Sequence, residues 1–160
     1  MKMPYSIQLH KSLNSIAIQH KDLALKFQEF ARFVKDCTQT PSVANQSITV
    51  SLQNLDKGFF TTYFAKRTVT FVFTSELDEN ESLQGIVKTY ALSEFPEPKQ
   101  IKFGEFSFDD SGHTNIKIPN EDADINIAND FGTLHIVLYY IRESLLKSSP
   151  NNISPELGSK

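Results

Sequence analysis

The sequence predicts a single α+β domain of order α-β-β-β-β-β-α, and three observations carry that expectation. Leu9, Leu13, Ile16, His20, Leu23, Phe27, Phe30 and Val34 recur at alternating steps of four and three, the apolar seam of one long helix. From Ser47 to Ile118 the apolar period changes to two, the signature of strands with one buried face. Phe131, Leu134, Leu138, Ile141 and Leu145 then restore a helical period. Short turns between consecutive strands favour an antiparallel meander, curled around the final helix, with both helices on one face.

The first helix is expected to open near Ser6, an N-cap after Pro4, and to end near Cys37 before Thr38, Thr40 and Pro41. About thirty helical residues span some 45 Å, whereas a compact domain of this size is about 40 Å across. The turns around Leu9 and Leu13 are therefore expected to outrun the domain. His20 marks the point where a buried seam gives way to an exposed or partner-facing one.

Ile48, Val50 and Leu52 alternate with Thr49 and Ser51 as a first strand, followed by a turn at Asn54–Gly58. Phe59 to Ser75 is too long for one straight strand, since it would exceed about 50 Å. It bends or divides around Ala65-Lys66-Arg67, where Lys66 and Arg67 read as charges that discourage edge pairing. An acidic turn from Glu76 to Glu81 leads to a strand over Gly85–Leu92, ended by the prolines of Phe95-Pro96-Glu97-Pro98. Ile101 to Asp109 follows, with a change of parity beside Gly104 that predicts a bulge. Asp110-Ser111-Gly112 is a hairpin turn, and Thr114, Ile116 and Ile118 are expected to form a last short strand. Asn129 or Asp130 caps the final helix, and residues 151–160 read as a tail beyond a domain spanning 1–150.

A chain of 160 residues can bury about two-thirds of its unfolded surface, so no metal or disulfide is needed to hold it. One cysteine, Cys37, excludes an internal disulfide and a cysteine-built zinc site, and points to a reducing, cytoplasmic setting. No segment carries the roughly 18 apolar residues of a membrane span, and no signal-peptide pattern opens the chain. Residues 1–40 hold six Lys/Arg against three Asp/Glu, whereas residues 101–130 hold two against seven. With an overall charge of −3, this is not the basic excess of a nucleic-acid binder.

Four constellations invite a chemical reading. Asp109, Asp110 and His113 surround a tight turn and offer two carboxylates and an imidazole, the ingredients of a metal site or of general-base work. Asp-Asp-Ser-Gly is also ordinary turn chemistry, and a metal would need further ligands, for which His135 or the following acidic loop is the source. Asp122, Asp124 and Asn126 have the spacing that opens an EF-hand loop, but Ile127 and Thr133 stand where glycine and glutamate are required. Lys102 to Phe108 alternates aromatics on a strand as base-stacking strands do, yet Glu105, Asp109 and Asp110 would repel phosphates. His20 interrupts an apolar seam, either as a hydrogen-bonded packing residue or as a pH-dependent contact.

No glycine-rich phosphate loop, nucleophile elbow or zinc-protease motif is present in the sequence. The expectation is a non-catalytic protein-binding domain of adaptor, inhibitor, immunity or chaperone type, without cofactor or metal. Its partner is expected to be another protein, docking on Leu9, Leu13 and His20 or on the acidic Asp109, Asp110, Asp122 and Asp124. The alternative is a small-ligand or enzymatic domain with an aromatic-lined pocket between the sheet and the final helix, where His113 and His135 do acid/base work. Homodimerisation through the first helix is a third reading.

Overall fold

A computed structural model describes residues 4–39, 47–117, 125–128 and 130–147. Helix α1 runs Pro4–Thr38, and β1 (Thr49–Ser51), β2 (Phe59–Phe64), β3 (Arg67–Leu77), β4 (Leu83–Ser93) and β5 (Lys99–Phe108) follow in order. Helix α2 spans Asp130–Lys147. The strands form one antiparallel sheet in sequence order, open rather than closed into a barrel, with β1 and β5 as its edges.

The long run Phe59–Ser75 divides. Ala65 and Lys66 form a two-residue turn with φ of 51° and 63°, so that β2 and β3 pair from Phe64↔Arg67 onward. Positive φ at both central residues is the twist that joins two antiparallel strands tightly. The parity change in β5 is also present: Thr89 faces Gly104 while Tyr90 faces Lys102, leaving Phe103 as the extra residue of a bulge.

One expected element is not formed. Over its described part, 114–117, the expected segment does not add a strand along β5; Phe108↔Thr114 and His113↔Asn126 are isolated bridges. The Asn115 side chain takes the place of a ladder bond, its Oδ1 accepting from the Ser107 amide at 2.9 Å while the Asn115 backbone N–H donates to the Ser107 carbonyl at 3.2 Å. Thr114 instead donates its amide and hydroxyl to the Ile125 carbonyl, at 3.0 and 2.8 Å, which draws the chain away from the sheet edge. Ile118 lies outside the described residues.

Both helices lie on one face of the sheet. Phe60, Phe71, Phe73, Val87, Phe106 and Phe108 line that face, all of them buried. Helix α1 covers it with Leu23, Phe27, Phe30 and Val34, the Phe27 ring stacking on Phe73 at 5.4 Å and meeting Phe60 at 5.6 Å. From α2, Tyr140 stacks on Phe106 at 5.7 Å and meets Phe71 edge-on at 6.2 Å. Gly85 sits beneath the Phe108 ring of the neighbouring strand, where a Cβ would have no room. Each fully buried Phe contributes roughly 1.5–3 kcal/mol, so this aromatic layer is the main source of stability. Among the described residues no helix is long and apolar enough to cross a membrane.

Candidate functional site

The seam of α1 is buried over only part of its length. Leu23, Phe27, Phe30 and Val34 are at most 1 % exposed, and Ile16 is partly buried against the core. Leu9 and Leu13, on the same stripe, are 62 % and 61 % exposed. The helix has 35 residues, about 52 Å of length, and its first turns extend past the sheet as an arm.

His20 stands at the root of that arm. Its Nδ1 lies 2.6 Å from the Ser75 hydroxyl, and its ring packs on Phe73 with centroids 5.4 Å apart. The contact ties the helix to the C-terminal end of β3. Beside it lies an open cleft of about 450 Å³ whose walls include Gln28, Leu55, Lys57 and Ser75. The seam thus changes from core to surface at the histidine, and a side chain with both an apolar ring and a polar edge suits that boundary.

A second cleft at the root, of about 320 Å³, is acidic and polar. Gln19 and Asp22 of α1, Glu81 and Ser82 of the β3–β4 turn, and Asp109 and Asp110 of the turn after β5 line it. These turns hold their shape through carboxylate-to-backbone bonds. Asp78 Oδ1 accepts from the amides of Asn80 and Ser82 at 2.8 and 2.9 Å. Asp109 Oδ1 accepts from Ser111 and His113 at 2.9 and 3.0 Å. Gly112 completes that turn at φ 88°, where a Cβ would lie 2.5 Å from Asn126 Oδ1.

Asp109 therefore works as a turn former, and Asp110 is the exposed carboxylate of the pair. The His113 ring stands 3.8 Å from Asp109, with both side chains well exposed. His135 is an exposed residue of α2, and neither histidine lines the clefts described here. Between sheet and α2, where the alternative reading put a ligand pocket, the rings of Phe71, Phe106 and Tyr140 pack against one another. Among the described residues no three His, Cys, Asp or Glu side chains are grouped to hold a metal ion. Asp122 and Asp124 lie outside the described residues. Asn126 of the same motif is used locally, accepting from the Ala128 amide at 2.7 Å and donating to the Ser111 carbonyl at 3.2 Å.

Two surface features escaped the sequence reading. Ile7, Ile18 and Leu25 are 50 %, 65 % and 50 % exposed, a second apolar stripe on the side of α1 opposite the seam. Their spacings of eleven and seven residues are close to whole helical turns, which is the signal that would have found them. Phe95, at the tip between β4 and β5, is 88 % exposed. Its flanking prolines mark it only as a strand terminator.

Among the described residues, two ionisable groups are displaced from their ordinary values. Burial raises the Tyr140 phenol, with Tyr139, Glu143 and Glu105 adding to the effect, and its hydroxyl donates to the Glu105 carbonyl at 3.3 Å. Lys102 is raised by its hydrogen bond to Glu105 on the exposed edge of β5. Neither lines the two clefts at the root of the arm. No family model, curated protein or solved structure matches the chain.

Proposed function

We propose that this chain is a non-catalytic protein-binding domain of the adaptor, inhibitor, immunity or chaperone kind, working in the reducing cytoplasm, with the arm of α1 as its docking surface. One observation carries the reading: a single helical stripe is core from Leu23 onward and bare at Leu9 and Leu13. Large apolar side chains grouped on a protruding element are what interaction surfaces present. The acidic root, with Asp110 and Glu81 facing solvent, supplies the charged rim that selects partners and speeds encounter.

The test compares wild type with Leu9→Asp/Leu13→Asp as baits, each first shown to be folded by its thermal transition. Arm-dependent binding, reproduced with the purified partner, is the expected result. Equal binding by both baits would remove the arm from the reading. Charge reversal at Asp110 and Glu81, which leaves the turn-forming Asp109 in place, is expected to slow association more than it speeds release.

A further inference from the structure

We infer that the arm docks on a second copy of this chain, the two arms lying antiparallel with Leu13 near the two-fold axis. The inference rests on the protein-binding reading above and names the partner. Two features of the molecule, one apolar and one charged, are satisfied together by that occupant.

The first is the shape of the bare stripe. Leu9, Leu13 and Ile16 continue the seam outward from the core, and the arm from Pro4 to His20 is about 25 Å long. Laid antiparallel on its own image, the stripe is self-complementary: Leu9 of one copy meets Ile16 of the other, and Leu13 meets Leu13. Each arm covers the exposed Leu9 and Leu13 of the other, with the partly buried Ile16 at the inner end of the contact, as a two-fold interface requires.

The second is charge. Between Pro4 and Lys21 the sequence contains no Asp or Glu, while Lys11 and Lys21 are basic. The first turn of α1 also lacks an acidic side chain, so the positive end of the helix dipole is uncompensated. At the arm's root the sign reverses, with Asp22, Glu81, Asp109 and Asp110 lining one cleft. In the antiparallel pairing, residues 4–5 of one arm come level with residues 20–22 of the other. Each positive tip then meets the partner's acidic root. A parallel pairing would set two positive tips side by side. Charge therefore selects both the occupant and its direction.

The strip is about 25 Å long and one helix wide, less than the roughly 800 Å² per partner of a standard interface. The dimer is accordingly reversible, forming in the micromolar range.

Sedimentation of the purified chain is expected to show a monomer–dimer equilibrium, lost in Leu9→Asp/Leu13→Asp. Glu81→Lys/Asp110→Lys is expected to weaken the dimer about fivefold at low salt, less at high salt. Direction is read by oxidative cross-linking in a Cys37→Ser background. Chains carrying Leu9→Cys mixed with chains carrying Ile16→Cys should link to each other, and Leu9→Cys chains alone should not. A monomer at about 100 µM overturns the inference. So does a dimer that survives the arm substitutions, or one in which Leu9→Cys links to itself. If the chain is monomeric but the arm binds another purified protein, the second-copy inference falls and the protein-binding reading stands. If the arm binds nothing, both fall.

Discussion

The two halves of α1 share one helix and one apolar stripe, yet they have opposite fates. From Leu23 to Thr38 the stripe lies on the sheet, its four large side chains excluded from water. Before Ile16 the same stripe is bare, and its Leu9 and Leu13 are more than half exposed. Backbone and pattern are common to both halves, so the difference lies in what faces them. Periodicity thus reports that a side of a helix is meant to be covered, without saying by what.

Substitutions should separate the halves sharply. Phe27 touches Phe30, Phe60 and Phe73, and Phe27→Ala is expected to cost about 3–5 kcal/mol of stability, read by denaturant unfolding. Leu13→Asp, measured on monomer, is expected to fall within about 0.5 kcal/mol of wild type. A large loss at Leu13 would show that the arm belongs to the fold after all.

The sheet beneath the buried half allows a second comparison, of intermediate size. Gly85→Ala forces a methyl into the Phe108 ring on the inner face and is expected to destabilise by about 1–3 kcal/mol. Phe95→Ala at the exposed β4–β5 tip should leave the unfolding midpoint unchanged. At the boundary itself, His20→Ala removes one hydrogen bond to Ser75 and one ring contact with Phe73, a loss of about 1 kcal/mol. His20→Asn keeps a polar edge without the ring. Recovery of full stability by Asn would show that the ring contact contributes nothing.

These residues also show how much the sequence could reveal. The seam, the strands near 48–52, 85–92 and 101–109, a bend or break around Ala65-Lys66-Arg67, the bulge beside Gly104 and the final helix all follow from local period and turn chemistry, because each depends on a few adjacent side chains. The absence of a strand at 114–117 depends on Asn115 meeting Ser107 and on Thr114 meeting Ile125, contacts made across the fold. The exposure of Leu9 and Leu13 could be anticipated from length alone, by setting a helix of known rise against the width of the domain. The acidic root could not be anticipated in the same way. Asp22, Glu81 and Asp110 are far apart in the chain, and only the arrival of α1 beside two turns brings them to one cleft.

The smallest effect at neutral pH belongs to Tyr140, at the opposite pole from the bare arm. Its ring closes the aromatic layer over Phe71 and Phe106, and its hydroxyl reaches the Glu105 carbonyl on the edge of β5. Burial disfavours the phenolate, so the folded-state value lies above the ordinary 10.0. The folded chain then holds this proton at pH values where the unfolded chain has lost it. Stability from this group is complete below the unfolded value and declines as pH rises through and beyond it. Wild type is therefore expected to lose stability above pH 10, and Tyr140→Phe to decline less steeply while differing little at pH 7. Leu9→Asp, measured on the same scale, should leave the alkaline slope unaltered, since nothing in the arm touches this end of the core. Parallel curves for wild type and Tyr140→Phe would mean that the phenol already meets water, and the sealed half of the molecule would then be less sealed than its packing implies.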